Sequence, residues 1–184
     1  DTAAPGLSIS STGGLTNQAT QTVTGTIGAA DAGLTVSLYD GSTLLGTVTP
    51  AANGSWSKAV TLSGQGAHAL TAQATDAAGN TSQPSAPLVI TVDTLPPAAP
   101  ALVSVSQDNG PSATDKITND TTLTLVGTAE PGSTVTVFDG TTPVGTAVAD
   151  ASGNYTVTTS ALADGNHPLS IKATDPAGNT SVGV

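Results

Sequence analysis

The segment ALTAQATDAAGNTS over residues 69–82 returns as LSIKATDPAGNTS over 169–181, which sets Asp76 and Asp175 99 residues apart. The same interval separates Asp40 from Asp139 (SLYDGS against TVFDGT), Trp56 from Tyr155, and His68 from His167. Four landmarks in one register make this chain a single module written twice. A 99-residue period is too long for a helical solenoid, whose repeats run to about 20–50 residues. It fits small domains strung end to end, and on a chain of 184 residues it predicts two, over residues 1–92 and 93–184.

Within each copy, polar and apolar residues alternate. Thr22–Ile27 (TVTGTI), Thr35–Tyr39 (TVSLY), Ser55–Leu62, Leu70–Thr75 and Leu88–Val92 follow the two-residue period of a half-buried strand. No window carries a helical stripe. Asp40-Gly41, Asn53-Gly54 and Ala78-Gly79-Asn80 punctuate the runs with residues that supply positive φ or Asx hydrogen bonds to tight turns. The first copy divides into strands near 7–10, 20–27, 34–40, 43–49, 55–62, 68–75 and 86–92. Seven short strands with frequent turns predict an all-β protein of two tandem immunoglobulin-like Greek-key sandwiches.

Aromatic residues make up only 2% of the chain, so β-branched and aliphatic side chains must fill the cores. Trp56 and Tyr155, which head the same strand in each copy, read as the large core ring of their sheets, with a sugar-stacking platform as the alternative. Charged residues are 9% and the balance is acidic: thirteen carboxylates against three lysines, a net charge of −10. That balance repels phosphate backbones and argues against nucleic-acid binding; cations are the natural partners. Cysteine is absent, which excludes disulfides and thiolate metal sites as staples for a modest core. No apolar run is long enough to span a bilayer, and no leader pattern opens the sequence, so neither membrane insertion nor a signal peptide is expected. The chain reads as a piece of something longer.

The joint is ITVDTLPPAAP, residues 90–100. Asp93 there matches Asp1, and prolines 96, 97 and 100 lock φ and predict a short, semi-rigid connection. The second copy gains ten residues between Asp93 and Gly127, in SQDNGPSATDKITND, and Val184 corresponds to Ser85. Its last strand therefore has no counterpart: either the sequence is cut there, or the strand comes from another chain, and an open edge invites pairing.

Calcium takes six to eight oxygen ligands from carboxylates, carbonyls and water, so acidic residues that folding gathers are the candidates. In the inserted loop, Asp108, Asn109, Asp115, Asn119 and Asp120 fall within thirteen positions. In an immunoglobulin-like topology this loop shares a pole with Asp139 and Asp164. At the joint, Asp93 lies near Asp175 and Glu130, with Asp40 of the first module in reach. The expected metal ligands are thus Asp93, Asp108, Asp115, Asp120, Glu130, Asp139, Asp164 and Asp175. The competing readings are a solvated acidic loop, and Asp76 and Asp175 capping their own turns. Each histidine stands alone in its repeat, which favours a structural role at a loop edge; no Ser/His/acid set or phosphate-cradling loop supports catalysis.

The segments DTLPPAAP, VGTAEPGSTVTVFDG, ADASGNYTVT, LADGNHPLSIKATDPAGNTS and DNGPSATDKITND closely resemble bacterial immunoglobulin-like repeats of giant secreted and biofilm-associated adhesins. The first copy, with IGAADAGLT where the second has TAEPGST, matches less completely. The resemblance implies spacer domains outside the cell or on its surface, which adjoin further repeats and hold an adhesive region that meets a host or abiotic surface. It also implies calcium at or near domain junctions. Two rivals remain: a glycan-binding module, and an accessory repeat of a secreted polysaccharide-processing enzyme.

Overall fold

Alternating Thr and Val put hydroxyls on one face of a strand and branched apolar groups on the other, and two such sheets bury the apolar faces against each other. The computed structural model describes residues 5–76, 78–105, 112 and 117–184. It divides into two compact units, one running to Thr94 and the other from Leu95 to Val184.

In the first unit the strands are β1 (Leu7–Ile9), β2 (Gly14–Thr16), β3 (Thr20–Ile27), β4 (Thr35–Asp40), β5 (Thr43–Val48), β6 (Ser55–Thr61), β7 (Gly66–Thr75) and β8 (Leu88–Val92). One sheet has the order β1-β3-β6 and the other β2-β8-β7-β4-β5. All pairings are antiparallel except β2 with β8. Val23, Val36, Leu38 and Leu70 are wholly buried between the sheets, while the outer faces pair hydroxyls across strands, as in Thr20 with Thr61 and Ser8 with Thr26. Two features depart from the sequence expectation. The strand expected over 7–10 is β1, but a further short strand, β2, which the sequence did not suggest, follows it and joins the other sheet beside β8. A short 3-10 turn at Ala29–Asp31 also interrupts the otherwise all-β chain.

The second unit holds β9 (Ala101–Val105), β10 (Thr124–Thr128), β11 (Thr134–Asp139), β12 (Thr142–Val148), β13 (Asn154–Thr158) and β14 (Leu169–Thr174). Its sheets have the orders β13-β10-β9 and β12-β11-β14. Leu125, Val135, Val137, Val157 and Ile171 form the centre of its core.

The aromatic residues head β6 and β13. Trp56 is 4% exposed and Tyr155 2%, so both are core residues, and neither ring is presented as a sugar platform. Each lies over a glycine of the adjacent strand, Gly25 or Gly127, where a Cβ would fall 2.1 Å from Trp56 Cζ2 or 2.5 Å from Tyr155 Oη. A large ring can fill a sheet-spanning slot only where its neighbour has no side chain.

Candidate functional site

The carboxylates are built into turns and sheet edges. At the end of β14, Asp175 accepts the Asn179 backbone N–H (2.9 Å) and, on its other oxygen, the Asn179 side-chain amide (2.8 Å). Asp76 repeats the arrangement with Asn80, at 2.7 Å for both bonds. Asp175 is buried. Burial alone would raise its pKa, but the Asn179 side chain and the backbone amides of Asn179, Gly178 and Ala177 outweigh it and hold the carboxyl below its ordinary value. The Asx-turn reading thus describes what these groups do within the turn.

Asp40 and Asp139 close hairpins and reach across to a histidine, His68 within β7 and His167 two residues before β14. Asp40 Oδ2 lies 2.6 Å from His68 Nδ1, and Asp139 Oδ2 lies 2.7 Å from His167 Nδ1. The histidines are therefore not solitary, as the sequence reading had them; one Asp–His pair ties β4 to β7, and the other ties the end of β11 to the segment just before β14. The signal was present in the 28-residue separation that both pairs keep, and pairing the repeat landmarks with one another would have found it.

The two pairs differ at the other ring nitrogen. His167 Nε2 donates to the Ala163 carbonyl at 2.7 Å, whereas His68 Nε2 is buried and has no partner among the described residues. The Ala163 carbonyl and then Asp139 hold the His167 pKa above the ordinary imidazole value, against the opposing effect of desolvation. The folded protein binds this proton more tightly than the unfolded chain. Its contribution is therefore fully present below about pH 6.5 and is lost as pH rises through the folded value. An NMR titration should place the His167 midpoint above 6.5 and bring it down in Asp139→Asn; a wild-type midpoint at or below 6.5 would contradict the pairing.

The remaining expected ligands are dispersed. Asp120 and Asp164 line a groove in the second unit together with His167, the partner of Asp139. Glu130 is exposed in the turn before β11, where its carbonyl accepts the Ser133 N–H. Asp93 is half-buried, and its N–H donates to the Thr16 carbonyl in the first unit. Asp108 and Asp115 lie outside the described residues. Among the described residues, no three acidic or histidine side chains come together in a group suited to a metal.

The groove has a volume of about 1450 Å³ and is mainly aliphatic at the core side, with Leu123, Leu125, Leu169 and Ile171. Leu102, Val105 and Ile117 at its rim are 45, 44 and 66% exposed.

A family model described as a bacterial Ig-like domain matches residues 7–94 and again 96–183. The chain belongs to the bacterial Ig-like domain family. Its two bacterial Ig-like repeats also resemble solved structures. The fibronectin(III)-like modules of Clostridium thermocellum CbhA align with 97% of this chain and 90% of theirs at 22% identity and a TM-score of 0.57, a likeness of fold. Two others have lower scores. A structure of a 1.5-MDa bacterial ice-binding adhesin, described for host cell surface retention, covers all of this chain and 63% of its own (26% identity, TM-score 0.47). The BSP domain of a biofilm-associated protein covers 98% and 28% (21% identity, TM-score 0.35). No curated protein matches the chain. No helix among the described residues is long and apolar enough to cross a membrane.

Proposed function

We propose that these bacterial Ig-like repeats are a non-enzymatic extension segment of a bacterial surface or secreted adhesin, which carries an adhesive region away from the cell and supports adhesion and biofilm formation. The observation that carries this reading is the duplication itself: two copies of one sandwich, each with its own core and its own Asp–His tie and Asx turn in the same register. A module whose repeated parts all serve its own fold is suited to spanning distance. The buried positions of Trp56 and Tyr155 disfavour the glycan-binding alternative. A glycan array probed with the chain is expected to show no specific hits, and a reproducible hit would overturn the spacer reading in favour of the carbohydrate module.

The second part of the proposal is that calcium stiffens the segment, with ligands drawn from Asp93, Asp108, Asp115, Asp120, Glu130, Asp139, Asp164 and Asp175. Its support is the net charge of −10 and the acidic loop inserted in the second repeat. At free calcium a hundredfold above the dissociation constant, binding would stabilise the native state by about 2.7 kcal/mol, a large share of the stability of a small domain. Asp108→Ala and Asp115→Ala should then lower the melting temperature in millimolar calcium and leave it unchanged in chelator. Small-angle scattering should give a longer maximum dimension with calcium. Equal melting losses in both media and superimposable scattering curves would remove calcium from the account.

A further inference from the structure

We propose that the first repeat is a tension-bearing module, in which β2 and β8, fastened at the chain's exit by the Gln65–Thr94 pair, hold the sandwich closed against a pull along the chain. The proposal rests on the extension-segment reading, because only a tethered segment is pulled from both ends. It goes beyond that reading by assigning the load to named strands and to one side-chain pair.

Strand β2 runs parallel to β8 in the register Gly14↔Ile90, Leu15↔Thr91 and Thr16↔Val92, and the Asp93 N–H extends the ladder to the Thr16 carbonyl at 2.9 Å. The relative direction decides how load is shared. A pull on the chain draws β2 toward its N-terminal end and β8 toward its C-terminal end. In a parallel pair those two directions are opposed along one axis, so the strands must slide past each other. The bonds of a parallel ladder are evenly spaced and run from strand to strand, so sliding strains the whole set together. A pair pulled apart from one shared end would instead lose its bonds one at a time. Strand β1 meets the pull in the same way, drawn along its own axis against β3, with which it pairs from Leu7↔Ile27 to Ile9↔Gly25.

The local sequence fits β2 to this place. A Cβ at Gly13 would fall 1.9 Å from the Val89 carbonyl oxygen and 3.3 Å from Leu88 Cδ1, so only glycine lets the chain come against β8 here. On β8, Leu88, Ile90 and Val92 are 7, 4 and 1% exposed, and sliding would drag all three out of the core. Where the pull enters, at Thr94, the chain is held by a side chain. Gln65 Oε1 accepts the Thr94 N–H at 2.9 Å, and Gln65 Nε2 donates to Thr94 Oγ1 at 2.6 Å. Gln65 directly precedes β7, whose Gly66 pairs with Val92. Its amide thus continues the β7–β8 ladder past the last backbone pair, while Asp93 is bonded to Thr16 of β2.

The chain has no cysteine, so two introduced thiols define where force is applied in an optical-tweezer measurement. Handles at Gly6→Cys and Leu95→Cys of the full chain load the first unit in shear; a Cβ at Gly6 meets nothing within 4 Å, and Leu95 is 64% exposed. Handles at Gln18→Cys, an exposed position just after β2, and Leu95→Cys pull across the ladder from one shared end. The expected result is unfolding about tenfold slower, or more, in the shear geometry at equal force, since forced unfolding follows the unfolding rate and not the equilibrium stability. Gln65→Ala should unfold about tenfold faster than wild type in shear, through the loss of two hydrogen bonds, and at an unchanged rate in the other geometry. Equal wild-type rates in the two geometries would overturn the proposal. So would a Gln65→Ala effect of the same size in both, which would report a general loss of stability. A glycan-array hit would remove the extension reading and leave these rates as they are, so the two failures are distinguishable.

Discussion

Gly25→Ala and Gly127→Ala are each expected to destabilise their own repeat by about 3 kcal/mol, the upper end of the usual cost of overpacking, and to lower its melting temperature by about 10–20 °C. Neither glycine has the left-handed backbone of the turn glycines, so the cost comes from space and not from φ. A Cβ at Gly25 would lie 2.1 and 2.4 Å from two Trp56 ring atoms and 2.2 Å from the Ser8 carbonyl oxygen; at Gly127 it would lie 2.1 Å from the Ala101 carbonyl oxygen and 2.5 Å from Tyr155 Oη. The ring has one escape, but the carbonyl belongs to the neighbouring strand and moves only with the sheet. Gly127→Ala combined with Tyr155→Phe should therefore recover only part of the loss. Gly6→Ala, where a Cβ meets nothing within 4 Å, serves as the neutral control. Calorimetry of the full chain should show one transition shifted and the other unmoved. A near-neutral Gly25→Ala would mean that Trp56 does not lie over β3 as described.

This glycine–ring cell shows what was legible in the sequence. Strand existence was, because Thr-Val alternation in segments such as Thr35–Asp40 leaves one face to bury whatever the partner, and the observed bounds of β3 to β6 follow it closely. Strand β2 was not, since GLT at Gly14–Thr16 carries no alternation and its pairing with β8 is a tertiary choice made some seventy residues away, between Gly14 and Ile90. The Asp–His ties were missed for a related reason. Asp139 was weighed as a member of an acidic pole, yet a hairpin end and a strand start that are remote in sequence are adjacent on one sheet, and there the carboxylate meets an imidazole. Composition indicates how many charges must be placed, but only pairing in the sheet decides which of them meet. The aromatic positions were legible as core because a lone large ring in an aromatic-poor chain has few other places to go.

The second large effect concerns the turn after β14. Asp175→Ala should destabilise the second repeat by about 2–3 kcal/mol, because it strips acceptors from the Asn179 backbone N–H and side-chain amide, both largely sheltered from water, and an orphaned buried donor costs about 1–3 kcal/mol. Asp175→Asn keeps one acceptor and should recover part of the loss. The pH dependence carries a sign. The folded carboxyl is held below its ordinary 3.8, so its contribution is present above that pH and disappears as pH falls through the folded value, where the native state must take up the proton. Asp76, held low chiefly by the Asn80 side chain, and Asp150, held low chiefly by the Asn154 backbone N–H, act in the same direction. Wild type should therefore lose stability steeply below about pH 4, and Asp175→Ala should show a shallower acid limb for the second unit. The same variant separates the two roles weighed for this residue. If Asp175 only caps its turn, the loss is identical in calcium and in chelator. If it also ligates an ion, the loss is greater in calcium, because the substitution then removes the linked binding energy as well as the cap.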